Sequence, residues 1–570
     1  MDVTRRDFLT LLTVAGVLGA RNRRALAEGL APERLLDFQA LGNVTLLHMT
    51  DPHGTLLPVY YREPDTLIGV GDEVGRPPYL TGEAFLRYYG IPRGSAEAYA
   101  LTHLDFAALA ARYGRMGGYA HLATLVKRVR AERPGRTLLL DGGDTLHGSA
   151  TALWTRGEDM VRAMNQLGVE VFTPHWEFTY GIERVRELFG DRESRGVFQG
   201  EFVCHNCREL NWNEPVFRPH TVREVGGLRV GVIGQGFPYV PVSHPQRFVP
   251  DLTFGIQEAH CQRLVTELRQ VHRADLVVLL SHNGLATDLK MAGRVRDIDV
   301  ILGGHTHDGL PRPIMVGRTI VVNSGAHGKF LSRLDLDVRA GRVRGHRYKL
   351  LPVLSSHVPP DADMARLIQE IRAPYAARLG ERLAVSESLL YRRGNFNGSF
   401  DEIILDALLK RFDGEIAFSP GFRWGLTIVP GQEITLEDVH GHTALTYPNV
   451  FTRELTGAEV HRTMEDVADN LFHRDPYHRQ GGDMLRVGGL TYTIDPRQPM
   501  GRRITEVRVN GRPLGTERRY KTVGWAAVGP PVDGPPAADV VAQHLRDLGR
   551  VRLDPRPRVT VVQPGTPNGG

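Results

Sequence analysis

Cysteine is scarce: Cys204, Cys207 and Cys261 are the only three in 570 residues. So few thiols exclude a disulfide framework as the basis of the fold, and three cannot complete a four-cysteine zinc site. The Cys204–Cys207 spacing leaves open a small disulfide, free thiols or, with little support, the start of a zinc site. Long apolar runs are lacking too. The run Phe8 to Ala20 stops at thirteen residues, short of the roughly 20 that a hydrocarbon core requires, so no stable membrane anchor is expected. Nor is there an excess of one charge. The chain has 70 Lys and Arg against 65 Asp and Glu, and residues 1–27 hold five of those arginines and two of those aspartates. The remainder is nearly balanced, which excludes the basic stripe of a nucleic-acid partner. Internal repeats and low-complexity tracts are absent.

What is present is the composition of a soluble enzyme, 41% hydrophobic and 24% charged. Its length exceeds what one core usually organises, so two domains are expected. At the N-terminus Arg5-Arg6 precede the Phe8–Ala20 run, and Ala25-Leu26-Ala27 offers a small-residue cleavage site. Residues 1–27 are therefore expected to be a twin-arginine export signal directing the chain to the periplasm. That route carries folded proteins, which suits an enzyme that acquires its metal before export.

Short apolar runs of strand length recur at Val44–Leu47, Thr137–Leu140, Val169–Phe172, Leu228–Ile233, Leu276–Leu280, Val300–Leu302 and Thr319–Val322. Helical spacing fills Gly118–Glu132, Asp159–Leu167 and Phe254–Val271, so the alternation predicts a layered α/β domain over 28–355. A Gly-, Pro- and Tyr-rich insertion, 58–112, reads as a lobe or rim over the site. Residues 356–382 read as a linker helix, and a second domain follows over 383–563 with a helix at Asp401–Phe412.

Five of the strand-like runs end in loops that carry Asp or His: Asp51 and His53 in HMTDPHG, Asp144 in DGGDTLHG, His175 in TPHWE, His282 in SHNG, and His305 and His307 in GGHTH. In an open α/β sheet the carboxyl ends of strands form the edge where ligands bind. Residues i and i+2 beyond a strand can face one side and grip one cation, and neighbouring glycines let the backbone approach. Taken singly, each such residue is more often a surface or core group. Seven of them at the ends of five buried strands predict a dinuclear metal site.

The order DxH, GD, an Asn or His ahead of Glu, HNG and GGHTH resembles the calcineurin-like metallophosphoesterases in their 5′-nucleotidase branch. The resemblance implies a four-layer α/β/β/α catalytic domain with an α/β C-terminal domain. It implies one metal held by Asp51, His53 and His307, a second by His175, His282 and His305, and Asp144 as the bridge. One departure narrows it. Where nucleotidases have Gly-Asn-His-Glu, this chain has Pro174-His175-Trp176-Glu177, so the ligand Asn has become His175 and the assisting histidine Trp176. With the long insertion and the export signal, the pattern is similar to the SoxB family of thiosulfohydrolases. That likeness implies dimetal-hydroxide attack releasing sulfate from a cysteine S-thiosulfonate on the carrier SoxYZ. A sulfur leaving group of low pKa needs little protonation, so Trp176 can be tolerated there. Manganese is the implied metal, and zinc would suit the His-rich set equally.

Phe418-Ser419-Pro420-Gly421-Phe422-Arg423 stands where nucleotidases have Asn-Ser-Gly-Gly-x-Arg. Arg423 is thus expected to face the substrate, its fork matching paired sulfonate oxygens. Trp176, Trp424 and Asp483, the last in QGGDM, are further substrate-contact candidates. Tyr447 could supply one aromatic of a nucleobase clamp, but a second is not evident. His147 and His327 are expected no nearer than behind the ligands, and His473 and His478 in a solvated loop. A 5′-nucleotidase or UDP-sugar hydrolase and a silent binding protein are the rival readings.

Overall fold

The computed structural model describes residues 32–554 and 556–562. The expected export signal lies outside the described residues. Two six-stranded sheets form the middle of the first domain. In the first, Val44–Met49, Thr137–Asp141, Val171–Phe172 and Glu201–Phe202 run parallel, and the hairpin of Phe330–Arg339 and Arg342–Pro352 is added antiparallel. In the second, Thr319–Asn323, Val300–Gly303, Leu276–Ser281 and Leu228–Gln235 run parallel, flanked by antiparallel Ile314–Val316 and His220–Val225.

Strand side chains alternate between faces, and that alternation builds the four expected layers. Leu46, Leu138, Leu140, Val230, Val278 and Val300 meet in one core between the sheets. Their neighbours Leu47 and Leu139 face outward onto the helices Tyr119–Glu132 and Glu158–Leu167. On the other side Val277, Leu279 and Ile301 pack against Glu258–Gln270 and Leu285–Ala292. Being apolar on both faces, these strands read as unbroken hydrophobic runs.

The insertion contains three helices, Gly82–Tyr89, Ala96–Leu101 and Phe106–Tyr113, with a core shared with Phe330, Leu350 and Leu354. It is pinned from below by Lys329. That buried ammonium donates to the carbonyls of Tyr61 at 3.1 Å and Ala100 at 2.9 Å and pairs with Glu63. After the sheets, Asp361 caps the helix Ala362–Arg372 by accepting from Met364 N at 3.1 Å. Met364, Ile368 and Ile371 bury this helix on the first domain, and Arg372 grips Glu437 of the second with two hydrogen bonds, 2.6 and 2.8 Å. The connection is thus packed at both ends.

The second domain carries small sheets and the helices Ser399–Phe412, Gly457–Leu471 and Ala537–Leu548 around two apolar clusters. Cys204, Cys207 and Cys261 are free and buried, and among the described residues no disulfide forms.

Candidate metal centre

The seven ligand candidates come together where the carboxyl ends of the parallel strands of both sheets converge. Asp144, His175, His282 and His305 form one group and Asp51, His53, Asp144 and His307 another, the donor atoms within each lying within 4.8 Å of one another. Asp144 belongs to both. The loops are zipped by backbone bonds: Asp51 N donates to Gly143 O at 2.8 Å, His53 N to Asp144 O at 2.9 Å and Gly54 N to Thr145 O at 3.0 Å. Asp51, His53, Asp144, His305 and His307 all have φ between 49° and 73°, a left-handed conformation that costs a non-glycine residue about 1 kcal/mol or more. The loops are so tightly wound that the side chains turn inward together.

Donor chemistry fits two cations. His175 Nε2 and both ring nitrogens of His305 are buried without a hydrogen-bond partner, an arrangement expensive to keep unless something binds there. His282 Nδ1 is set against Gly142 O, which fixes the tautomer and turns Nε2 toward Asp144 Oδ2, 3.0 Å away. His53 Nε2 and His307 Nε2 face each other at 2.9 Å. Burial holds His53, His305 and His307 well below the usual imidazole pKa, keeping their lone pairs free. Burial also works against charge on Asp144, but His175 and His282 keep it ionised. Burial pushes Asp51 up to about 8, although His282 opposes this.

Partners behind the ligands hold them. Glu177 accepts from Thr145 N at 2.8 Å and Leu146 N at 3.2 Å through one oxygen and from His175 N at 2.7 Å through the other. It ties two metal loops together. His147 Nε2 stands 2.9 Å from His53 Nδ1, whereas His327 bonds Thr55 Oγ1 at 2.9 Å and only leans on the His53 ring. His473 and His478 lie ring to ring, 4.8 Å apart, in the second domain's polar loop.

A cleft of about 370 Å³ opens over the cage, walled by Trp176, Phe237, Val242, Phe422, Trp424 and Tyr447. Trp176 leaves the first domain to join the apolar core of the second. Phe422 and Trp424 stack on each other at 4.0 Å, leaving no slot between them. The Trp424 Nε1 donor is buried without a partner. Arg423 donates to Gly482 O at 2.8 Å and reaches His305 O at 3.4 Å. Tyr447 is tied by its hydroxyl to Ser243 O at 2.7 Å. The Asp483 carboxylate is engaged by Arg393 at 3.2 Å and Arg486 at 3.5 Å, so it also anchors arginines. The adjoining Gly481 is required: a Cβ there would lie 2.5 Å from His305 Nε2.

Two residues escaped the sequence reading. Glu177 was visible only as part of the Pro174–Glu177 string, and Arg393 gave no local signal. Arg393 donates to Thr306 O at 2.9 Å, between two ligands, from 87 residues away.

Residues 386–537 match the family described as 5′-nucleotidase, C-terminal domain. Bovine 5′-nucleotidase is 24% identical over 456 residues, spanning 72% of this chain and 76% of that protein. Among solved structures, the sulfate thiohydrolase SoxB of Thermus thermophilus is 42% identical with a TM-score of 0.88, covering 92% of this chain and 98% of the other. A 5′-nucleotidase precursor from the same organism shares the fold at 22% identity and TM-score 0.71, over 92% and 100% of the two chains.

Proposed function

Because the chain belongs to the SoxB sulfate thiohydrolases, within the 5′-nucleotidase branch of the calcineurin-like phosphoesterases, we propose that it releases sulfate from a cysteine S-thiosulfonate on a carrier protein. Water adds to the terminal sulfonate sulfur, the S–S bond breaks, sulfate leaves, and the electron pair stays on the carrier as a persulfide. When bound, two divalent cations supply charge to the attacked oxyanion and acidify water toward neutral pH. Asp51, His53 and His307 would hold one, His175, His282 and His305 the other, with Asp144 shared. Manganese is the favoured ion, and the imidazole-rich set accepts zinc.

The remaining work falls to the walls. The guanidinium of Arg423 and the free Trp424 Nε1 donor suit sulfonate oxygens, while the apolar cleft excludes bulk water from a persulfide that would otherwise react on.

The observation that carries this reading is Trp176. It stands beside the cage where a phosphate ester would need an acid for its alkoxide, and an indole cannot donate that proton. A persulfide leaves without one. The self-stacked Phe422–Trp424 pair likewise offers a nucleobase no slot.

SoxYZ as the carrier and export to the periplasm through residues 1–27 belong to the same proposal. No described helix is long and apolar enough to cross a membrane. The test is side-by-side turnover of carrier bearing a cysteine S-thiosulfonate and of AMP by wild type and Asp144→Ala. Sulfate from the wild type alone, with little phosphate from AMP, is the expected result. AMP turnover without sulfate release would move the chain to the nucleotidases, and fewer than two bound ions per chain would favour a silent binding protein.

A further inference from the structure

We infer that His220, Glu267 and His272 form a separate metal site for a borderline divalent ion such as Zn²⁺, clipping the edge strand of the second sheet to the helix that covers it. None of the three belongs to the dinuclear cage.

Their convergence has local causes. His220 opens the strand His220–Val225, which is hydrogen-bonded on one side only, to Leu228–Gln235. His220 and Val222, two apart, share a face. Val222 packs against the cluster that contains Leu264, Val265 and Leu268 of the helix Glu258–Gln270, so His220 faces that helix. Glu267 lies in the helix's last turn. Its carbonyl accepts from Val271 N at 2.8 Å and also from His272 N at 3.2 Å, and this widened turn brings His272 back beside the Glu267 carboxylate.

The donor geometry is that of a ligand set. Nε2 of His220 lies 3.3 Å and Nε2 of His272 3.4 Å from the same Glu267 oxygen, and all three donor atoms fall within 4.8 Å of one another. The imidazole rings stand edge to face at 5.2 Å. Both separations exceed the usual N–H···O length of about 2.9–3.0 Å. They match neighbouring ligands on a tetrahedral ion, because bonds of about 2.0–2.2 Å place ligand atoms roughly 3.4 Å apart. His220 Nδ1 is buried without a partner, so Glu267 is the one polar engagement that its imidazole makes. Two imidazoles and one carboxylate suit Zn²⁺, Ni²⁺ or Cu²⁺ better than the oxygen-seeking Mg²⁺ or Mn²⁺. Glu267 and His272 are accessible enough to leave a fourth position for water. An ion there would hold down a sheet edge that hydrogen bonding leaves open.

The test is zinc content by plasma mass spectrometry after equilibrating the full chain with Zn²⁺ and removing free ion. Wild type should retain about one equivalent more than His272→Ala or Glu267→Gln, as expected for loss of one ligand from a three-ligand site. His272 follows the helix at the surface, and Glu267→Gln preserves shape, so both variants should fold. The extra equivalent should persist in Asp144→Ala/His282→Ala/His307→Ala, which removes the shared carboxylate and a ligand from each half of the cage. Zinc should also raise the melting temperature of Asp144→Ala/His282→Ala/His307→Ala, and adding His272→Ala should abolish that rise. Equal zinc in wild type, His272→Ala and Glu267→Gln would overturn the inference, as would loss of the extra equivalent when only the cage is broken.

Discussion

The indole of Trp176 stacks on the imidazole of His147, ring centroids 4.7 Å apart, and His147 stands 2.9 Å behind the metal-ligand candidate His53. Because Trp176 is also embedded against Trp424 and Phe422, the second domain reaches a first-domain ligand through two aromatic rings. Trp176→Ala should cost about 3–5 kcal/mol in chemical denaturation and weaken metal retention. Trp176→His restores a proton donor, so phosphate release from AMP should rise above the wild-type level while sulfate release falls. No rise in AMP turnover would sever the link drawn between this residue and leaving-group chemistry.

Glu177→Ala should loosen both loops it joins, since three backbone N–H groups lose their acceptor inside the protein. Outer partners of ligands are typically worth about 10–100-fold in metal affinity. Competition with a fluorescent chelator should register a drop of that order. Glu177→Gln should fall between, because one oxygen becomes a donor facing a donor.

Loading the cage should release protons. Burial opposes charge on His282, but Asp144 at 3.0 Å and Asp51 at 3.6 Å raise its pKa to about 10. The metal-free chain therefore carries a proton on His282 at pH 7, and a cation must displace it. Calorimetric titration with Mn²⁺ in buffers of different ionisation heat should find net proton release, with affinity falling as pH falls. In the metal-free chain the raised pKa contributes stability that is complete below pH 6.5 and lost as pH rises through about 10. Thermal melts of chelated and loaded protein across pH 7–10 should diverge accordingly.

Asp159, in the first turn of Glu158–Leu167, is pushed by burial up to about 6. The folded state then binds its proton more tightly than the unfolded one. The associated stability is present below pH 3.8 and lost as pH rises through about 6. Asp159→Asn should stabilise the chain at pH 7 by on the order of 2 kcal/mol and have no such benefit near pH 3.5, as read by urea denaturation at the two pH values.

The cage was legible because buried parallel strands are apolar throughout, so an Asp or His just past Leu47 or Leu302 stands out against its own strand. The four layers followed from the same runs. The insertion was less legible: Ala96–Leu101 is a six-residue helix whose burial depends on Phe330 and Leu350, more than 200 positions away. Arg393 was invisible for a similar reason, since its role exists only when the domains meet at Thr306. Trp176 could be seen as a departure from a motif, but its membership in the other domain's core is a product of tertiary packing.

The wound loops have a practical corollary for anyone wishing to graft this chemistry elsewhere. Five of the seven candidate ligands hold positive φ, so copying the side chains onto regular strand ends of another scaffold would point them in the wrong directions. The portable unit is the interlocked set of turns, with the hydrogen bonds that keep them coiled, and a recipient scaffold would need enough spare stability to bear that tension.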